Sequence, residues 1–295
     1  MTYFKEEKLL SLASLDYDGK TTEELRSLCR MVLENGMHGL CFSPYTEGQK
    51  PGDQIGEEQI RQRMQIIKPY TRWIRSFSCT EGNENIPKIA KEYGIKTLVG
   101  AWLGNDADIN RREVANLIEL ASEGFVDIAA VGNEVMYRGD LTEDELLEFI
   151  SQVKDALPDI SVSYVDAYYE FTERPRITEI CDVILANCYP FWEGCDLDYS
   201  LLYMKNMYQR AQSVANGKKV IISETGWPTE GTNLRGACPS YENALKYFLN
   251  TQKWSQKYEI EVFYFSSFDE SWKVGAEGDV GAYWGLWDKH ENLKF

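Results

Sequence analysis

Eight short apolar runs rich in β-formers alternate with longer amphipathic segments along this 295-residue chain, and that alternation restricts the fold more than any other feature. The strand-like runs are GLCFSPY (39–45), WIRSFSC (73–79), KTLVGAWLG (96–104), DIAAVGNEV (127–135), SVSYVDA (161–167), DVILANCYP (182–190), KVIISETGWP (219–228) and EVFYFSSFDE (261–270). A first helix is expected around Thr21 to Asn35. Helix-like segments such as EEQIRQRMQIIKPY, NIPKIAKEYG, RREVANLIELASEG, TEDELLEFISQVKDAL, LLYMKNMYQRAQSVAN and YENALKYFLNTQKW follow, with apolar residues three and four apart. Thr142 and Glu145 offer a capping box for the helix after the fourth run. Strand and helix alternating in this way imply parallel strands joined by right-handed crossovers, and eight such units close into a (β/α)8 barrel of the α/β class. An open doubly wound sheet is the competing architecture, but no glycine-rich phosphate loop follows the first strand. No linker or low-complexity block divides the chain, so residues 1–295 are expected to form one catalytic barrel domain.

Charge narrows the partners. With 31 Lys plus Arg against 47 Asp plus Glu, the formal charge is −16, which repels phosphate backbones and anionic lipid surfaces. Nucleic acid and membranes are therefore not expected as partners, and the chain is expected to act as a monomer. The first twenty residues hold no apolar run long enough for a signal-peptide core, and no stretch elsewhere approaches the ~20 apolar residues of a membrane span. As written, the chain is expected in the cytoplasm, or in the periplasm or outside the cell if an export signal has been removed from it. Seven cysteines, an odd number without a CxxC pair, read as reduced thiols rather than as a disulfide framework.

Barrel enzymes build their sites where the strands end. Three strand ends carry acidic residues in uncharged surroundings: the fourth with Asn133 and Glu134, the seventh with Glu224, and the eighth with Asp269, Glu270 and, beyond them, Lys273. A carboxylate closing an apolar run such as VIISE costs several kcal/mol unless it is paired or used. The fourth and seventh strands stand on opposite sides of an eight-stranded ring, so Glu134 and Glu224 can face each other across the mouth. The two histidines, His38 and His290, lie beside no Ser or Cys nucleophile motif and are read as structural. No HExxH or clustered Cys/His spacing supports a metal, and no cofactor is expected. Two facing carboxyls of this kind suit the hydrolysis of a glycosidic bond, one protonating the leaving oxygen and the other meeting the anomeric carbon.

Aromatic residues gather at the same strand ends: Tyr45, Trp102, Tyr189, Phe191, Trp192, Trp227, Trp272, Tyr283 and Trp284. Aromatic rings cover the apolar C–H faces of sugars, while neighbouring amides and hydroxyls bind their oxygens. About half of these rings are expected to be core instead.

The motifs VGNEV (131–135), NCYPF (187–191), ISETGWPT (222–229), FDESWK (268–273) and YWGLW (283–287) resemble, in the same order, those of family 17 glycoside hydrolases. The resemblance covers nearly the whole chain, from about GLCFSPY to GLW. It implies a (β/α)8 barrel that cleaves β-1,3-glucans, or mixed β-1,3 and β-1,4 glucans, with retention. Carried over position by position, it makes Glu134 the general acid/base, Glu224 the nucleophile, Asn133 the amide that holds the sugar 2-hydroxyl, and Tyr189 the tyrosine bonded to the nucleophile. Glu270 and Lys273 become a charged pair lining the cleft, although Glu270 can equally be neutralised by Lys273 alone. Tyr45, Trp102, Trp192, Trp227 and Trp272 are taken as sugar-contacting rings. Plant members carry a further glutamate where this chain has Gly281, and nearby Glu277 has the wrong spacing to replace it. The expected activity is endo-acting hydrolysis of laminarin-type β-1,3-glucan, with a β-1,3-glucanosyltransferase or a non-catalytic glucan-binding barrel as alternatives.

Overall fold

The computed structural model describes Tyr17, residues 19–275 and residues 277–295, so most of the N-terminal stretch read above for an export signal lies outside the described residues. Eight parallel strands close in chain order: β1 (Met37–Cys41), β2 (Thr71–Ser76), β3 (Lys96–Ala101), β4 (Ile128–Asn133), β5 (Ser161–Ala167), β6 (Ile184–Asn187), β7 (Val220–Thr225) and β8 (Val262–Tyr264). Closure is made by β8 on β1, with Gly39 opposite Phe263 and Leu40 opposite Tyr264. The (β/α)8 barrel expected from the alternation is the fold observed.

The helices are α1 (Thr22–Glu34), α2 (Glu57–Ile67), α3 (Asn85–Glu92), α4 (Ala107–Ser122), the one-turn α5 (Val135–Arg138), α6 (Glu143–Ala156), α7 (Glu170–Glu173), α8 (Pro175–Ile180), α9 (Leu197–Val214) and α10 (Tyr241–Tyr258). Local chemistry sets their ends. Thr21 with Glu24, and Thr142 with Glu145, form reciprocal capping boxes in which each side chain satisfies a backbone N–H at the helix start. Leu146, Ile150 and Val153 then turn one face of α6 to the barrel. Between β5 and β6 the crossover is broken at Arg174, because Pro175 has no N–H to continue α7 and instead opens α8. α1 packs against α10, the first and last long helices among the described residues.

Every residue of β4, β6, β7 and β8 is buried, as expected of a parallel sheet covered on both faces. Charged groups nevertheless lie inside: Arg75, Asp166 and Glu224 are all buried on strands. The strands are shorter than the apolar runs that predict them. Past several carboxyl ends the backbone is pinned across to the neighbouring strand before it leaves the barrel. Examples are Glu134 N–H to Val165 O (2.8 Å), Cys188 N–H to Glu224 O (2.9 Å), Phe265 N–H to Thr225 O (2.8 Å) and Ser267 N–H to Cys41 O (2.9 Å). The register shifts in the pairings β4–β5, β6–β7 and β7–β8, each near the mouth. All seven cysteines are free. Among the described residues no helix is long and apolar enough to cross a membrane.

Candidate active site

Strand alternation would send consecutive side chains to opposite faces, so Asn133 and Glu134 could not both serve one site on a regular strand. The register shift between Ala130 and Asn133 and the turn that follows remove this restriction. Gly132 makes the turn possible. Its φ is +86°, and a Cβ there would meet Cγ2 of Val135 at 2.8 Å. Glu134 itself has φ +52°, a left-handed conformation uncommon outside glycine, and caps α5. In SETG the constraint is a close approach: a Cβ on Gly226 would come within 2.2 Å of the Phe265 carbonyl oxygen.

Glu224 is buried and surrounded by donors. Arg75, reaching from β2, forms a buried ion pair with Oε1 of Glu224 and donates to Ser223 O at 3.1 Å. The other end of the same guanidinium donates to Oδ1 of Asn133 at 2.6 Å. The Tyr189 hydroxyl donates to Oε2 of Glu224 at 2.8 Å. Burial by itself would lower Arg75, but the charge and hydrogen bond of Glu224, together with Cys41 and Tyr189, outweigh it and hold the guanidinium above its ordinary value. Burial and the Glu224 charge push the Tyr189 phenol well up, so it stays a donor.

Asn187, at the end of β6, joins the two carboxyls. Its Nδ2 donates to Oε1 of Glu134 at 2.8 Å and lies 3.2 Å from Oε1 of Glu224. The orientation of this amide is set from behind, because Oδ1 accepts from the Ser223 hydroxyl at 2.8 Å. Two oxygens reached by one nitrogen at these distances are no more than about 6 Å apart, so the facing edges of the carboxyls fit the close pairs, ~5–5.5 Å apart, in which one carboxyl acts as nucleophile. The environments are unequal. Glu224 has a cation and Glu134 has none, so burial, and then repulsion from Glu224, push the Glu134 carboxyl up to about 7. Glu224 is the more buried of the two; it is the Arg75 cation, and not greater exposure, that distinguishes it.

Lys273 stands between two carboxylates, 3.4 Å from Glu270 and 3.7 Å from Glu277, with its ammonium 4.0 Å from the centre of the Phe265 ring. Glu277, whose spacing matches no family position, is thus brought to the same cluster by the loop. Position 281 could not hold a glutamate in this conformation, since a Cβ there would lie 2.5 Å from the Lys273 carbonyl oxygen. Asp269 has a structural place: Lys294 from the C-terminal segment sits 2.9 Å from its Oδ1, and Gly285 N–H donates to the same oxygen at 2.8 Å.

The aromatic residues divide. Trp102, Trp192 and Trp272 are exposed at the strand ends, Trp102 beneath the Arg138 guanidinium (4.5 Å) and Trp192 against Phe191 and Trp284. Tyr45 is buried edge-on to Trp272, and Tyr189 is half-buried. Trp227 does not belong with the cleft-lining rings. It is 1% exposed, wedged against Phe191 and Tyr247, and its indole N–H is used by Cys238 O at 3.0 Å. The turn made by Gly226 sends it into the space between β7 and α10, where an apolar ring is buried more favourably than at the mouth. Of the nine aromatic residues singled out in sequence, Tyr45, Phe191, Trp227 and Trp284 are buried, close to the expected half.

Several site residues are not apparent from sequence. Arg75 and Asn187 contact the carboxyls directly, and Asp166 and Glu113 are buried acids on the barrel and its shell. Glu113 accepts from Ser78, Thr80, Cys79 N–H and Trp102 N–H, tying the ends of β2 and β3 together. The signal for Arg75 and Asp166 was present: each is the one charged residue in an otherwise uncharged strand-like run, WIRSFSC and SVSYVDA. Among the described residues no cluster of three or more His, Cys, Asp or Glu could hold a metal ion.

A closed parallel barrel with two carboxyls facing across its carboxyl-terminal mouth defines a class of enzyme, the glycoside hydrolases. Within that class the lineage is specific. Residues 39–285 match the model of the BtgE/BtgC glycoside hydrolase domain, and the chain belongs to this family. It is similar to a glucan 1,3-beta-glucosidase of Saccharomyces cerevisiae, 27% identical over 257 residues that make up 79% of this chain and 82% of the relative. It is also similar to a solved glycoside hydrolase family 17 beta-1,3-glucanosyltransferase from Rhizomucor miehei, with TM-score 0.77 and 28% identity over 88% of this chain and 96% of that one. An active-site mutant of that transferase in complex with laminaritriose superposes with TM-score 0.78 at 28% identity, with the same coverage.

Proposed function

We propose that the chain is a retaining glycosidase of the family 17 type that cleaves internal β-1,3-glucosidic bonds of laminarin-type glucans, with Glu224 as nucleophile and Glu134 as acid/base. The observation that carries this reading is the single Asn187 nitrogen within reach of both carboxyls, of which only Glu224 has a cation. Glu224, paired with Arg75 and aimed by Tyr189, attacks the anomeric carbon as Glu134 gives its proton to the departing glycosidic oxygen. The C–O bond to the leaving chain breaks as the glycosyl ester forms. Once esterified, Glu224 carries no charge, the repulsion that raises Glu134 disappears, and Glu134 is free to take a proton from the attacking water. Asn133, whose Oδ1 is occupied by Arg75, has its amide N–H groups left for the sugar 2-hydroxyl. Trp102, Trp192 and Trp272 supply exposed rings for sugar faces, and Glu270 and Lys273 a polar wall. Every proton and bond is assigned to the chain's own carboxyls, so chelation with EDTA is expected to leave activity intact.

The roles are tested by substitution. Glu224→Gly should leave even an activated aryl glucoside uncleaved, yet couple an α-glycosyl fluoride to an acceptor. Glu134→Ala should still be glycosylated by the activated substrate and be rescued by azide as a β-glycosyl azide. Opposite behaviour of the two variants would reverse the assignment, and an α-anomer as first product by proton NMR would replace retention with inversion. Transfer to a sugar in place of water is a second reading, favoured by the similarity to the Rhizomucor miehei beta-1,3-glucanosyltransferase. The ratio of elongated to hydrolysed products from laminari-oligosaccharides separates the two.

A further inference from the structure

On β5, the strand next to the one that leads into Glu134, lies a second buried carboxyl that the mechanism does not use. Asp166 is fully buried on β5, and its carboxylate accepts from the Tyr164 hydroxyl, from Ala167 N–H at 2.7 Å and from Tyr137 N–H at 3.3 Å. The Tyr164 oxygen in turn accepts from Met136 N–H at 2.9 Å. Met136 and Tyr137 belong to the first turn of α5, whose free N–H groups have no partners within the helix. Asp166 and Tyr164 therefore satisfy the one-turn helix that Glu134 caps in its left-handed conformation.

We propose that Asp166, acting through Tyr164 and the α5 backbone, is a positioning residue for Glu134 that clamps the turn carrying the acid and keeps a negative charge beside it. This rests on the reading of Glu134 as the acid. A serine or an amide could cap the same N–H groups without a charge, and burying a carboxylate costs several kcal/mol. The charge has a use here because it discourages ionisation of Glu134. Few charges counter it. Tyr164 faces Asp166 from its own strand, Tyr137 and Glu134 from the α5 turn, and Tyr169 and Glu170 from the α7 side, where Glu170 is already bonded to Arg174 at 2.7 Å. Glu134 is faced by Glu224, Asn187, Arg75 and Asp166. Burial raises Asp166 as it raises Glu134, and the negative charge of Asp166 adds to the rise at Glu134.

The test is the pH profile of kcat/KM on laminarin. Removing a neighbouring negative charge favours the Glu134 carboxylate, so Asp166→Asn should move the alkaline limb to lower pH by about half a unit or more. Asp166→Glu keeps the charge and disturbs only the clamp; it should lower kcat and leave the limb in place. A purely structural role would lower the rate of Asp166→Asn at every pH without moving the limb, and that result overturns the proposal. If Asp166→Asn does not fold, by circular dichroism, a limb that falls in Asp166→Glu overturns it instead. Glu134→Ala separates this from the underlying reading. If its residual activity keeps the alkaline limb, Glu134 is not the acid; if the limb vanishes there but stays in Asp166→Asn, only the role of Asp166 falls.

Discussion

The amide nitrogen of Asn187 lies 2.8 Å from Oε1 of Glu134, donating from the end of β6 to a carboxyl at the end of β4, two strands away around the barrel mouth. The same nitrogen is 3.2 Å from Glu224, so one uncharged donor sets the spacing of the two acids. Asn187→Ala is expected to lower kcat about 10- to 100-fold, the worth of a hydrogen bond to a charged group, with little change in KM. Asn187→Asp places a third negative charge between the two and should move the alkaline limb of the profile to higher pH. Steady-state kinetics across pH on laminarin checks both, and an unchanged kcat in Asn187→Ala would mean that the bridge plays no part in the reaction.

Glu134 also predicts an exchange of stability against activity. Its carboxyl is raised from 4.5 to about 7, so the folded protein binds that proton more tightly than the unfolded chain does. The corresponding stability is complete below pH 4.5 and is lost as the pH rises through about 7. Activity that needs the protonated acid should fall over the same alkaline range. Glu134→Gln, which has no proton to lose, should be inactive on laminarin and more stable than the wild type at pH 8 by on the order of 2–3 kcal/mol. Denaturant unfolding at pH 8 and at pH 5 should show the gap closing at the lower pH.

Arg75 is fully buried and serves Glu224, Ser223 and Asn133 together. Arg75→Met leaves the Glu224 charge without its cation, and should cost about 3–5 kcal/mol of stability along with nearly all activity. Arg75→Lys should recover little, because a single ammonium cannot present the planar fork that reaches both Glu224 and Asn133. Thermal melts and laminarin assays on the two variants measure this. Wild-type stability in Arg75→Met would show that the ion pair is not holding the barrel interior.

Two tryptophans taken alike from sequence should behave in opposite ways. Trp227→Ala empties a core site and should destabilise by about 3–5 kcal/mol. Trp192→Ala, on the exposed rim, should leave the melting temperature within a degree or two and raise KM for longer glucans. A matched pair of melting curves and KM series decides, and a large stability loss in Trp192→Ala would remove it from the cleft-lining set.

The amino-acid sequence by itself determined the barrel. Alternating strand-like and helix-like periodicities are local properties, and eight repeats with parallel crossovers leave few ways to close. The strand-end positions of Glu134 and Glu224 were legible for the same reason, since a carboxylate that ends an apolar run stands out at short range. Residues that act across the ring were not legible. Arg75 comes from β2, Asn187 from β6 and Asp166 from β5, and nothing in their own neighbourhoods says which carboxyl each will meet. Trp227 looked like a sugar platform until the turn at Gly226 directed its ring toward Tyr247. Position 281, where the resemblance implied a glutamate that this chain lacks, proved to have no room for one. The unequal surroundings of the two carboxyls appear only in three dimensions, because they consist of burial and of a guanidinium supplied to Glu224 from across the barrel, neither of which has a fixed distance along the chain.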